Sequence, residues 1–159
     1  MSDCQIRAGS NGGAHVLKLQ GDVRLVMCTA LDEYFENMFS EPDFLSVWVD
    51  VTEATGLDST TLGMLAKLAI STKAKFGFKP AIFSCDPSID RLLQAMGFSQ
   101  LFEVRSERCD MECCRDLPAR NASEDEVRLK VIEAHRTLMG LNEANHDAFQ
   151  NLVMTLEAQ

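Results

Sequence analysis

The chain of 159 residues is long enough for one domain with an appendage and too short for a multidomain enzyme. Its 46% hydrophobic and 25% charged content is that of a soluble globular protein and excludes disorder and collagen-like repeats. Fifteen Lys and Arg against 24 Asp and Glu give a net charge of -9, which repels phosphate backbones and anionic membrane surfaces, so nucleic acid is not an expected ligand.

No stretch of the sequence is apolar for long enough to span a bilayer, and the first five residues, Met1-Ser2-Asp3-Cys4-Gln5, carry an acid where a signal peptide has a basic segment and an apolar core. The expectation is no membrane insertion and a cytoplasmic protein.

Residues 5–8 and 14–20 predict two strands joined by Gly9-Ser10-Asn11-Gly12-Gly13, a connection suited to a hairpin that needs positive φ. A phosphate-binding loop would have to open a helix, whereas His15, Val16, Leu17, Lys18 and Leu19 alternate as a strand does. His15 in that strand and His146 in a late helix are expected to face solvent. Leu31, Tyr34, Phe35 and Met38 then form one apolar helical stripe that ends before Pro42.

Residues 45–51 predict a central strand. From Asp58 the period changes, and Leu62, Leu65, Ala66, Ala69 and Ile70 recur at helical spacing up to Gly77. Residues 81–85 return to a strand. Asp86 or Pro87 opens a helix that buries Ile89, Leu92, Leu93 and Met96 and stops at Gly97, and residues 101–104 make a last short strand. This alternation requires parallel neighbours with right-handed crossovers. The expected architecture is α/β over residues 1–106, a mixed β-sheet with helices packed on it.

Residues 107–122 are charged and aperiodic and predict a linker or a surface loop. Cys109, Cys113 and Cys114 lack the Cys-x2-Cys spacing of a zinc site, and His135, the nearest downstream histidine, belongs to a different predicted element. No metal and no cofactor is expected, and the six cysteines read as reduced thiols.

Residues 123–159 predict a helical hairpin. Ser123 and Glu126 form a capping box; Val127, Val131, Ala134 and Leu138 make one stripe, and Asn142 caps a second helix bearing Phe149, Leu152, Val153 and Leu156. Helices this short need a partner for their apolar faces: the chain's own sheet, another protein, or a second copy in a homodimer.

No nucleophile–base pair, His-Glu-x-x-His segment or dinucleotide fingerprint is visible. Asp50 and Glu53 fall at a strand end where turn and capping roles suffice. Neither Cys28 nor Cys85 has a recognisable histidine partner, so no enzyme is expected.

One segment carries more. The strand Val47-Trp48-Val49-Asp50-Val51 is followed by a short loop and by Asp58-Ser59-Thr60-Thr61-Leu62-Gly63 opening a helix, where Asp58 or Ser59 suits the N-cap. This arrangement resembles the phosphorylation segment of STAS-domain anti-sigma factor antagonists. Gly21-Asp22, Pro87-Ser88-Ile89-Asp90-Arg91-Leu92-Leu93, Gly97-Phe98 and Leu101-Phe102 extend the resemblance over residues 5–105. Two departures stand out: Thr61 in place of the usual Gly, and Gly21-Asp22-Val23-Arg24 in place of the commoner Gly-Glu-Leu-Asp.

The resemblance implies that Ser59 is the phosphoacceptor. It also implies that Asp22, Asp58, Ser59, Thr60, Thr61 and Asp86 form the partner-binding face, with Met64 either joining that face or lying in the core. The implied function is a non-enzymatic switch. Unphosphorylated, such a protein sequesters an anti-sigma factor that is also a GHKL-type serine kinase, and a metal-dependent serine phosphatase resets it. The alternative left open is a STAS adaptor subunit of a transporter ATPase complex that is never phosphorylated.

Overall fold

The computed structural model describes residues 4–113 and 115–159. Its elements are β1 (Gln5–Asn11), β2 (Ala14–Val23), α1 (Cys28–Phe39), β3 (Ser46–Leu57), α2 (Ser59–Phe76), β4 (Ala81–Phe83), α3 (Pro87–Ala95), β5 (Glu103–Arg105), β6 (Arg115–Leu117), α4 (Glu124–Met139) and α5 (Glu143–Glu157). Gly12 and Gly13, at φ +60° and +90°, make the two-residue turn that only positive φ allows in a right-twisted hairpin, and β1 pairs antiparallel with β2 across it. β2, β3, β4 and β5 are parallel neighbours. The sheet order is β5-β4-β3-β2-β1-β6.

Strand alternation decides what each face buries. Leu17 and Leu19 of β2, Val47, Val49 and Val51 of β3 and Ile82 of β4 meet Leu31, Phe35 and Met38 of α1 and Leu62 and Leu65 of α2 in the main core. The same alternation puts His15 on the face of Leu17. His15 is therefore 3% exposed rather than solvent-facing: its ring stacks on Phe44, with Nδ1 3.2 Å from the Tyr34 hydroxyl and Nε2 2.9 Å from Glu41 Oε2. His146 is exposed.

On the second face, Val16, Ala81 and Phe83 are covered by Cys109 and Cys113 with Trp48 and Met111. Residues 106–113 are thus drawn over the sheet, and Asp50 Oδ2 accepts the Cys109 amide at 3.3 Å. Burial raises the Cys113 thiol above its ordinary pKa. Cys114 lies outside the described residues, and among the described residues no group of three or more His, Cys, Asp or Glu side chains is placed to hold a metal. The expected linker also contributes β6, which pairs with β1 at Ile6–Leu117; three residues, two of them charged, carry too little periodicity to be read as a strand.

The hairpin folds back onto the body. α4 lies against α2 so closely that a Cβ on Gly63 would come within 2.6 Å of the Ala134 Cβ and overlap the Ala134 carbonyl. Cys28, Met64 and Ala134 are buried together there, with Val127 beside them. Asp32 of α1, 4% exposed, receives Lys67 of α2 at 2.9 Å and Lys130 of α4, and Lys67 also pairs with Glu133. Burial alone would raise the Asp32 carboxyl; the hydrogen bonds from Lys130 and Lys67 outweigh it and hold the group below its ordinary 3.8. At the elbow Leu138 enters the main core, and Asn145 Nδ2 donates to the Met96 and Leu138 carbonyls at 2.9 and 3.0 Å. Among the described residues no helix is long and apolar enough to cross a membrane.

Candidate functional site

The ends of β2 and β3 are stitched together at the start of α2. β3 runs to Leu57, past the loop expected after residue 51, because β2 also continues and pairs with it at Asp22–Gly56 and Val23–Leu57 after two register shifts. A Cβ on Gly56 would meet Asp22 Oδ1 at 2.8 Å, so glycine permits this approach. Beyond Leu57 the Asp58 amide donates to the Val23 carbonyl at 3.1 Å. Both oxygens of the Asp58 carboxylate are engaged: Oδ1 accepts the Thr61 amide at 2.8 Å as the N-cap of α2, and Oδ2 accepts the Leu25 amide at 2.7 Å. Thr61, the departure from glycine, turns inward, and its hydroxyl donates to the Val23 carbonyl at 3.4 Å.

Ser59 is the first residue of α2. Its Oγ lies 2.7 Å from His135 Nε2 on α4, and His135 Nδ1 lies 2.7 Å from the Val131 carbonyl. A carbonyl only accepts, so in the neutral ring Nδ1 carries the proton and Nε2 accepts the Ser59 hydroxyl proton. The hydroxyl points at a base, and the amides at the start of a helix without an intrahelical partner lie beside it. His135 is 2% exposed, and its ring meets Phe149 edge-on with centroids 5.1 Å apart. A cavity of about 670 Å³ opens next to this pair, with Leu25 and Val131 among its apolar walls and Asp58, Glu124 and Asp125 among its acids.

Asp22 lies among the last paired residues of β2, and Asp58 and Asp86 follow β3 and β4, so all three stand at the C-terminal ends of neighbouring parallel strands. Asp22 pairs with Arg24 at 2.7 Å, and the hydrogen bond raises the pKa of the exposed guanidinium further. Asp86 caps α3 by accepting the Ser88 amide at 2.8 Å. Leu25 and Val26 protrude from the turn after β2, 43% and 60% exposed. Thr60 and Thr61 are buried, and Met64 takes the core alternative, fully buried under α4. Asp22, Asp58, Ser59, Thr60 and Thr61 are therefore gathered at one turn. Met64 belongs to the hairpin contact, and Asp86 stands two strands away from Asp22 at the same end of the strands.

The serine–histidine pair was not legible in the sequence, because its members are 76 residues apart. Two weak signals exist: Gly63 inside a helical run, which marks a close approach, and the position of His135 on the stripe of Val131 and Leu138.

Comparison with known proteins places the fold. The STAS domain family profile matches residues 5–110, about two thirds of the chain, and the protein belongs to that family. A crystal structure of an anti-sigma factor antagonist from Mycobacterium paratuberculosis superposes with a TM-score of 0.54 at 18% identity, covering 66% of this chain and 87% of that one; at that identity the likeness is one of fold. No curated protein matches the chain. The family match ends before β6, so α4 and α5 are an addition to the STAS domain.

Proposed function

We propose that this protein is an anti-sigma factor antagonist whose binding is switched by phosphorylation of Ser59. The observation that carries the reading is the place of Ser59 in a STAS domain: the first residue of α2, directly after the Asp58 cap and beside the half-buried Asp22 and the exposed Leu25 and Val26. A phosphate there meets the positive end of an 18-residue helix.

The switch is electrostatic. A phosphoryl group adds roughly -1.5 to -2 charges. About 5 Å from a partner carboxylate, each unit costs about 0.8 kcal/mol in water and about 3 kcal/mol at an effective dielectric of 20. That is enough to move a protein complex across a hundredfold range of affinity. Unphosphorylated, the protein sequesters an anti-sigma factor and frees a sigma factor; a GHKL-type serine kinase, the anti-sigma factor itself, adds the phosphate, and a metal-dependent serine phosphatase removes it. Those partners perform the catalysis, and the switch works in the cytoplasm.

The test is incubation of the purified protein with native cell extract and ATP, read by phosphate-affinity gel and intact mass for wild type and Ser59→Ala. One added phosphate that is missing in the variant is expected. A phosphate present in both overturns the assignment to Ser59, and none in either favours a constitutive binding subunit.

A further inference from the structure

The start of α2 is already covered. Ser59 donates to His135, Gly63 abuts Ala134, and Met64 and Cys28 are sealed beneath α4. The cover is unevenly seated. At the elbow Leu138 and Asn145 are anchored in the body, whereas at the open end the cavity separates the turn around Leu25 and Ser59 from Val127, Leu152 and Leu156. A poorly filled contact gives up dispersion and burial energy, and an edge with few buried apolar contacts opens first. Leu152 and Met154 of α5 are themselves 41% and 60% exposed.

A phosphate does not fit the closed arrangement. The 2.7 Å between Ser59 Oγ and His135 Nε2 is a single hydrogen bond, with no room for a phosphorus and three oxygens along that line. The cavity beside it is mostly apolar and carries Asp58, Glu124 and Asp125 against one cation, Arg128, which already donates to Asp125 and to the Leu156 and Gln159 carbonyls, so a dianion turned that way meets net negative charge.

We infer that the α4–α5 hairpin is an internal occupant of the Ser59 face, latched by His135, so that phosphorylation of Ser59 and docking of a partner on the start of α2 both compete with it. The inference rests on the Ser59 reading for its phosphate half alone; the competition for the face rests on the hairpin contact. Whatever binds the open form gains access at the expense of the hairpin contact, and by linkage a phosphate on Ser59 holds the hairpin off.

Cys28 reports the opening without any kinase. It is 2% exposed, sealed by Met64 and Ala134, while the exposed Cys85 serves as reference in the same molecule. The full chain is treated with a maleimide under native conditions and the Cys28 and Cys85 peptides are quantified by mass. Wild type and Ser59→Ala are compared with three variants: Gly63→Leu, which drives a side chain into Ala134; His135→Ala, which removes the latch; and Ser59→Glu, which places a carboxylate at the phosphate position. The account expects Cys28 to react at least about tenfold faster in these three than in wild type, with Cys85 unchanged. Ser59→Ala, which removes the latch bond but adds neither bulk nor charge, is expected to fall between wild type and Ser59→Glu.

Cys28 labelling at the wild-type rate in both Gly63→Leu and Ser59→Glu overturns the inference. In the extract assay the open Gly63→Leu protein should take up phosphate several-fold faster than wild type, and equal rates overturn the occlusion. If neither protein is phosphorylated while Cys28 is exposed in Gly63→Leu, the hairpin is confirmed as the occupant and the Ser59 switch itself fails.

Discussion

The sheet body and the hairpin that rests on it differ in how much of their contact is apolar burial and how much is polar. The body is a continuous apolar core in which Leu17, Leu19, Val47, Val49, Leu65 and Ile82 are fully buried between β2–β4 and α1–α2. The hairpin joins it through a smaller apolar seam, with Met64, Cys28 and Ala134 buried together and Leu138 in the main core, to which a buried aspartate shared by two lysines and one serine–histidine bond are added. Apolar burial resists partial opening, because every exposed side chain loses transfer free energy. Polar and ionic contacts exchange with water at lower net cost. On that ground α4 and α5 are expected to open before the STAS body does.

The largest effect expected from a substitution is in the body. Leu65→Ala should lower stability by about 2–5 kcal/mol, measured by urea unfolding, with body and hairpin lost in one transition. Asp32→Ala should cost about 1–3 kcal/mol, because the side chains of Lys67 and Lys130 are 32% and 22% exposed and regain water. Hydrogen exchange should show that loss in α4 and α5 while β2–β4 keep wild-type protection; equal loss in both regions breaks the comparison.

Acid sharpens it. The Asp32 carboxyl titrates below its ordinary value in the folded protein, its two lysine bonds outweighing burial. Its contribution is therefore fully present above the ordinary aspartate range and is lost as pH falls through the lower native value. The difference in urea midpoint between wild type and Asp32→Asn should be full near neutral pH and should close as the pH is taken below about 4. The smallest effect is at the open end: Ser123→Ala removes the oxygen that accepts the Glu126 amide at 3.1 Å and should cost about 1 kcal/mol, seen as faster exchange in the first turn of α4.

What the sequence showed and what it hid follow from the range of the interactions. The strands and helices of residues 5–105 were legible because each has its own period, and the Asp58–Ser59 segment because a cap and a helix start are local events. The end of β3 was not legible: Thr52 to Gly56 has loop-like composition, and only pairing with the end of β2 keeps it extended. His15 was misplaced because a single polar residue in an alternating strand takes the face its neighbours dictate. The hairpin was legible as two helices with a cap, but its seat on α2 depends on Gly63 meeting Ala134 and Ser59 meeting His135, contacts that leave no periodic trace.

Capture decides whether the Ser59 face binds an anti-sigma factor and whether negative charge at Ser59 prevents it. Ser59→Ala and Ser59→Glu proteins, immobilised in parallel, are exposed to native extract and the retained proteins identified by mass. A GHKL-type anti-sigma factor is expected on Ser59→Ala and not on Ser59→Glu. Retention of the same partner by both variants, or of a transporter ATPase in place of an anti-sigma factor, would contradict the switch.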